Sequence, residues 1–318
     1  MGLSVLLALL LHADVPGMLH LARLAGWALL WLVPYRGVYF VLYAIGWLGL
    51  LRPYDPQRRA GLGYVVWVTT VREAVDRLLP VASMGGGIVG VRLMQWRGLA
   101  VIPVAASVIV EILLTLVALY LFTVLGLILL RGLMAGGPQF PHILPTLLLS
   151  LPIPIVTAVL LRYGSVFERL EHGLRPLVGI TAMSEGAAAL DKTLKTFFRC
   201  HSALLFAGIL QLLALISSSF EIWFVLRLLG HPIDFSASII LESLTQAIRH
   251  LAFVVPAGIG VQEASLVLFG HALGISGELA LAVSLAKRVR EVLCGLPALI
   301  SWQFLEMHRL RAPITKSS

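Results

Sequence analysis

Two apolar segments of this chain are each interrupted by Pro and Gly and also carry charged residues. They are Val71–Met94 and Leu241–Phe269, and they occupy corresponding places in the two halves of the sequence. Non-helical backbone in a bilayer leaves polar groups unpaired, so it occurs only where protein or a watery cavity surrounds it. A matched pair of interrupted segments is typical of the central site of a transporter. We therefore predict two re-entrant segments around such a site.

The composition places the rest of the chain in a membrane. Of the 318 residues 59% are hydrophobic and 13% are charged, and the mean hydropathy is +0.94. A soluble domain carries roughly 25% charged residues, so we predict an all-α, polytopic helical bundle. The net charge of +8 comes from basic residues between apolar spans, as the positive-inside bias requires, and we expect no nucleic-acid partner.

The predicted spans divide the chain into two halves within one integral membrane domain, 1–318. The first half is 24–161 with the re-entrant segment 71–94, the second is 203–310 with the re-entrant segment 241–269, and 162–202 is a cytoplasmic amphipathic connector. An odd number of crossings separates the re-entrant segments, so they enter from opposite faces. This predicts an inverted-topology repeat. The spans are Leu24–Leu51, Leu99–Leu130, Ile143–Leu161, Ala203–Leu229 and Leu279–Leu305.

The first re-entrant segment carries two predicted ion pairs. Glu73 with Arg77, and Arg72 with Asp76, have the i, i+4 spacing that makes partners on a helix. Three consecutive glycines, which include Gly85 and Gly86, are poor helix formers and predict a turn whose amides could bind an anion. A tight turn without a ligand is the alternative.

The second re-entrant segment and the last span add further charges. Glu242 and Arg249 lie on one polar stripe of a helix, and Pro256, Gly258 and Gly260 unwind the chain before Glu263. Arg249 is a candidate phosphate ligand because a guanidinium binds bidentately. In the last span, Lys287 is predicted to pair with Glu291, and Arg290 shares that face. Ionisable residues at this depth usually have a function, although structural pairing or snorkelling would also explain them.

These residues form the predicted site. We expect substrate contacts from the basic residues and from the Gly and Pro of the breaks: Arg72, Arg77, Gly85, Gly86, Arg249, Pro256, Gly258, Gly260, Lys287 and Arg290. Counter-charge or proton coupling would come from Glu73, Asp76, Glu242, Glu263 and Glu291. Arg36 interrupts an apolar span and predicts a kink or a polar contact in the bundle. Glu111 and Glu221, also within apolar spans, suit either a proton relay or an interhelical hydrogen bond. No catalytic or metal-binding motif is present, so we expect no cofactor, no metal and no enzymatic activity.

Three motifs in this order resemble a known family: REAVDRLLPVASMGGG (72–87), VPAGIGVQEA (255–264) and AKRVREVLCGLP (286–297). The chain is similar to the flippase-like membrane domain of lysylphosphatidylglycerol synthases (multiple peptide resistance factors), and most similar to the hopanoid-biosynthesis branch called HpnL. Relatives often have an acidic residue where this chain has Gly87.

The resemblance implies a multi-pass protein of the bacterial inner membrane that handles lipids, either hopanoids or anionic phospholipids. Lipid-biosynthesis proteins would be further partners. The aminoacyl-transferring domain does not follow, so no synthesis of lysyl-lipid is expected. The alternative is an accessory subunit or intramembrane enzyme of hopanoid or undecaprenyl-lipid metabolism.

Overall fold

A computed structural model describes residues 26–79, 85–133, 183–252 and 260–311, and within these ranges every regular element is helical. The nine α-helices of these ranges, in chain order, are α1 (Leu32–Leu51), α2 (Leu62–Leu78), α3 (Gly85–Gln95), α4 (Val101–Leu133), α5 (Met183–Arg199), α6 (His201–Leu228), α7 (Phe235–Leu251), α8 (Val261–Ala272) and α9 (Gly277–Arg311). A 3₁₀ turn, Gly26–Trp31, precedes α1, and a second, Arg52–Tyr54, follows it. The prediction of an all-α bundle is confirmed.

Three of these elements are long and apolar enough to cross a membrane: Gly26–Tyr54, Val101–Leu133 and His201–Leu228. Each agrees with a predicted span to within a few residues. Many large apolar side chains on α4 and α6 point outward, such as Ile128, 62% exposed, and Leu205, 67% exposed. A soluble protein rarely exposes so much apolar surface, whereas lipid would cover it. The predicted span Ile143–Leu161 lies outside the described residues.

Two helical hairpins correspond to the predicted interrupted segments. Hairpin 1 consists of α2 and α3, and hairpin 2 consists of α7 and α8. At 1.5 Å per residue, α3 and α8 are only about 16 and 18 Å long, well short of a hydrocarbon core of about 30 Å. Their lengths support re-entrant hairpins, whose depth in the membrane stays a prediction.

Side-chain contacts fix the direction of each helix. Tyr35 of α1 donates a hydrogen bond to the Ser217 carbonyl (2.8 Å), while Gly46 packs on Ala207, so α1 and α6 are antiparallel. Trp67 of α2 bonds to Ser301 (2.9 Å) and Ala74 packs on Gly295, so α2 and α9 are antiparallel as well. Further contacts of this kind make α1, α3, α7 and α9 run one way and α2, α4, α6 and α8 the other.

The two halves show matching contacts with opposite directions. Hairpin 1 packs through α2 on α9, the last helix of the second half, and hairpin 2 packs through α7 on α4, the last helix of the first half. The helices α6, α7, α8 and α9 correspond in order to α1, α2, α3 and α4. Each helix of the second half runs opposite to its counterpart in the first. These directions support the predicted inverted repeat, which remains a prediction.

One end of the bundle, which we call the basic end, carries a cluster of basic residues. It contains the end of α1, the beginning of α2, the loop from α3 to α4, and the end of α9. The amphipathic helix α5 also lies there, because Phe197 stacks on Tyr54 (centroids 5.0 Å apart) and Leu194 is fully buried. Basic residues at this end are Arg52, Arg58, Arg59, Arg92, Arg97, Lys192, Lys195, Arg199 and Arg309. From the positive-inside bias we predict that the basic end faces the cytoplasm.

Two of the apolar cores lie toward the two ends of the bundle, and a polar layer lies between them. The core near the basic end includes Trp47 and Ala298, and the core near the opposite end includes Leu32 and Ala286. Arg36 on α1 and the segment 287–291 on α9 lie between the two cores. The fold therefore places these charges at the middle of the bundle.

Candidate functional site

Glu73 of hairpin 1 joins three helices through one carboxylate oxygen. Its Oε1 accepts a hydrogen bond from Arg36 of α1 (2.6 Å) and lies 3.9 Å from the guanidinium of Arg290 on α9. Arg77, one turn further along α2, lies 4.0 Å from the same oxygen. The predicted pair of Glu73 with Arg77 is therefore confirmed, but Glu73 has a much closer partner on another helix.

The predicted pair of Arg72 with Asp76 is wrong. Arg72 forms its ion pair with Glu111 of α4 (2.7 Å) and lies over the indole of Trp47 (4.5 Å from the ring centroid). The Asp76 carboxylate instead accepts the backbone N–H of Gly86 (2.8 Å). The first N–H groups of a helix have no partner within the helix, so a carboxylate at this point satisfies one of them.

The glycines of hairpin 1 belong to a helix rather than to the predicted turn. Gly85 and Gly86 form the first turn of α3, and the helix continues through Gly87 and Gly90. A Cβ atom on Gly90 would lie 2.6 Å from Cδ of Arg72, and one on Gly86 would collide with the Arg72 carbonyl. The physical reason for these glycines is the close approach of α3 to α2, which offsets their low helix propensity.

In hairpin 2, Arg249 and Glu263 contact different partners. Arg249 donates to Gln262 of α8 (2.6 Å) and pairs with Glu291 of α9 (3.3 Å). Glu263 accepts from the Ser284 hydroxyl (2.8 Å) and pairs with Arg288 (3.4 Å). Its other oxygen accepts the N–H of Gly260 (2.8 Å). Gly260 immediately precedes α8 and has a positive φ of 81°. Pro256 and Gly258 lie outside the described residues.

Lys287 and Glu242 form the most deeply buried ion pair of the site. The Lys287 ammonium contacts one Glu242 oxygen, and the other oxygen accepts from Gln246 (2.8 Å) and Ser218 (3.1 Å). The predicted pair of Lys287 with Glu291 is therefore wrong. Glu291 is held instead by Arg249, by Arg288 (3.5 Å) and by Arg290 (4.0 Å). Glu242 comes from α7, so sequence spacing on α9 alone could not reveal it.

Arg290 connects the two hairpins. Its guanidinium lies 3.2 Å from Glu221 of α6 and 3.9 Å from Glu73 of hairpin 1. The same guanidinium lies 4.0 Å from Glu291, which pairs with Arg249 of hairpin 2. A continuous path of alternating charge therefore joins α2 to α7 through α9. We call this path, the charged side chains paired with it, the neighbouring pairs Arg72–Glu111 and Lys287–Glu242, and the Asp76 carboxylate together the ionic network.

The ionic network is formally neutral. Over the described residues it contains seven basic and seven acidic side chains: Arg36, Arg72, Arg77, Arg249, Lys287, Arg288 and Arg290, with Glu73, Asp76, Glu111, Glu221, Glu242, Glu263 and Glu291. Most are buried, while the side chains of Arg77, Arg288 and Glu263 are 22%, 21% and 29% exposed. These three are the members that a solute would reach first.

Several members were not among the predicted site residues. Arg36, Glu111 and Glu221 each appeared as isolated charges in apolar spans, and Arg36 in fact pairs with Glu221 (3.4 Å). Gln262 accepts a hydrogen bond from the Arg249 guanidinium, and Arg288 pairs with the Glu263 carboxylate. The signal for all of them was an ionisable or amide side chain at membrane depth, which rarely occurs without a partner.

A narrow crevice opens onto this network with room for about one water molecule. It is lined by residues of α1, α2 and α9: Phe40, Thr70, Glu73, Ala74, Arg77, Arg290, Glu291, Cys294 and Gly295. The conformation is therefore closed around the charges. Within the described ranges, no three His, Cys, Asp or Glu side chains are grouped so that they could hold a metal ion.

Comparison with protein families agrees with this architecture. The family model described as the lysylphosphatidylglycerol synthase transmembrane region matches residues 1–297. No curated protein and no solved structure matches the chain significantly. The match extends over nearly the whole chain and includes both hairpins and the ionic network. The chain therefore belongs to the family of the lysylphosphatidylglycerol synthase transmembrane region.

Proposed function

We propose that this protein is a flippase-like transporter that moves a lipid across the inner membrane of a bacterium without chemical modification. The headgroup would pass through the ionic network while the tail stays against the apolar outer surfaces of the helices. Arg72, Arg77, Arg249, Lys287 and Arg290 would contact the headgroup, and Glu73, Asp76, Glu242, Glu263 and Glu291 would supply counter-charge or proton coupling.

The observation that carries this proposal is the burial of the ionic network between two hairpins in a chain with membrane-spanning helices. Removing ions from water costs several kcal/mol each, and apolar residues of similar volume often stabilise a core as well or better. A bundle that needed only stability would gain little from fourteen such groups. Ionisable residues within a membrane bundle usually belong to a substrate or ion pathway.

The network also suggests how a headgroup would bind. Each basic group named above has a carboxylate partner here, and the pair of Arg77 with Glu73 is the longest of these, at 4.0 Å. An anionic headgroup would therefore have to replace a carboxylate. Arg77 is the natural first contact, because it is partly exposed and borders the crevice. Guanidinium groups bind phosphate bidentately, which favours a phosphate-bearing lipid among the candidates. The resemblance to the hopanoid branch keeps hopanoids as the other candidate.

Lipid scrambling in proteoliposomes tests the proposal. Purified protein would be reconstituted with fluorescent phospholipids of different headgroups and with hopanoids, and translocation would be followed by dithionite quenching or extraction. We expect selective translocation by the wild type and its loss in Arg249→Ala. Arg227→Gln is the matched control, because Arg227 lies over Trp223 (5.2 Å), outside the ionic network. Folded wild type that moves none of these lipids would refute the transporter and favour an accessory subunit or enzyme of hopanoid or undecaprenyl-lipid metabolism.

A further inference from the structure

A second cavity, with aromatic and basic side chains in its walls, lies at the basic end, away from the ionic network. It has a volume of about 410 Å³ and is lined by Tyr64, Trp96, Arg97, Leu305, His308 and Arg309. These residues come from the beginning of α2, the loop after α3 and the last turns of α9. The cavity thus joins both legs of hairpin 1 to α9 at the cytoplasmic surface.

Two arginines in this cavity are positioned by aromatic rings. The guanidinium of Arg97 lies 4.4 Å from the ring centroid of Tyr64, and that of Arg309 lies 4.6 Å from the ring centroid of Trp96. Arg309 also donates to the Trp96 carbonyl (3.0 Å), and Tyr64 donates to the Leu93 carbonyl (2.5 Å). Stacking restricts the plane of each guanidinium but leaves most of its N–H donors at the edge, where an anion can reach them.

The charges of this cavity differ from those of the ionic network. Among the described residues, neither Arg97 nor Arg309 forms an ion pair with a carboxylate. The nearby Glu306 is already paired with Arg92. Within the described ranges the cavity therefore has two guanidinium groups that no carboxylate neutralises, with the imidazole of His308 beside them. Phosphate is the anion whose geometry matches such planar donors best.

The position favours a lipid as the source of that phosphate. Trp and Tyr side chains concentrate at the depth of lipid headgroups, and anionic lipids are enriched in the cytoplasmic leaflet. Leu305, 45% exposed, gives the cavity an apolar side against which a glycerol backbone can pack. We propose that this cavity binds the phosphate of an anionic phospholipid headgroup from the cytoplasmic leaflet. The site is separate from the proposed transport path and does not depend on it.

Native mass spectrometry of the full-length protein in a neutral detergent tests the site. The protein would be titrated with phosphatidylglycerol and, separately, with phosphatidylcholine of the same acyl chains. We expect preferential retention of phosphatidylglycerol. Retention should be roughly 30-fold weaker in Arg97→Gln/Arg309→Gln, because each basic residue near an anionic lipid strengthens binding roughly fivefold. Arg227→Gln is the matched control, as it removes an arginine stacked on Trp223 at the other end of the bundle.

Each outcome decides the proposal. Loss of retention in the double variant but not in Arg227→Gln supports it. Wild-type retention in the double variant, or an equal loss in the control, overturns it. If 10 mM inorganic phosphate displaces the lipid, the phosphate chemistry holds but the source is a soluble phosphate, and the lipid assignment is overturned. Should the double variant aggregate, each single variant answers the same question with an expected loss of roughly fivefold.

Discussion

The ion pair between Lys287 and Glu242 allows the cost of the ionic network to be measured. In Lys287→Met, Glu242 stays buried without its cation but keeps hydrogen bonds from Gln246 (2.8 Å) and Ser218 (3.1 Å). Removing one partner of a buried pair costs about 3–5 kcal/mol. Because two neutral donors remain, we expect a loss near the lower limit, about 3 kcal/mol of the free energy of unfolding.

The double variant Lys287→Met/Glu242→Gln should recover most of that loss. It leaves no buried charge, and the Gln side chain retains its neutral partners, so the remaining cost should be about 1 kcal/mol. Transport should stay absent in the double variant, because Lys287 is a proposed headgroup contact. Stability and activity would then respond differently to the same substitution.

Unfolding in mixed micelles of increasing SDS content, followed by far-ultraviolet circular dichroism, gives the required free energies. Arg92→Gln is the control, because Arg92 is 58% exposed in its pair with Glu306 and such pairs contribute about 0–1 kcal/mol. If Lys287→Met cost no more than Arg92→Gln, or if the double variant were as unstable as the single one, the two side chains would not be energetically coupled. Our account of the ionic network would then be wrong.

Three further predictions concern packing, capping and accessibility. Gly126→Ala should destabilise the protein by about 1–3 kcal/mol, because a Cβ atom there would lie 2.9 Å from Cβ of Ser243. Gly208→Ala is the control in the same SDS titration and should have little effect, because a Cβ atom at Gly208 would lie 3.8 Å from its nearest neighbour. Asp76→Ala should cost about 1 kcal/mol and speed amide hydrogen exchange at the start of α3, and unchanged exchange would refute the capping role. Cys200 is exposed at the basic end, so a membrane-impermeant maleimide should label it in inverted vesicles but not in intact spheroplasts, and the reverse result would contradict the orientation.

The positions of the helices could be predicted because they depend on local sequence. The apolar run 99–130 became α4, at 101–133, and the interruption by Pro80 falls between α2 and α3. The same holds for the second interrupted segment, where α7 ends at Leu251 and α8 begins at Val261. Length and hydropathy alone decide whether such a run can form a helix in a membrane.

The partners of the charged residues could not be predicted in the same way. Spacing along a helix identified Glu73 with Arg77, which lie 4.0 Å apart, but failed for Arg72 and Lys287. Each of these two has a closer carboxylate on a different helix. An i, i+4 pair is worth only a few tenths of a kcal/mol, so any well-placed partner from a neighbouring helix replaces it. Which helix is the neighbour depends on the whole topology.

The interlocking of the two halves also has a consequence for biogenesis. Hairpin 1 packs on α9, and the indole N–H of Trp67 bonds to Ser301, 234 positions later in the chain. At a synthesis rate of about 5–20 residues per second, α9 leaves the ribosome roughly 10 to 50 s after α2. During that interval Glu73 is without Arg290, and the translocon must accept a charged hairpin that is only partly neutralised. We therefore expect the nascent first half to be an assembly intermediate whose charges insertion machinery or lipid shields until translation ends.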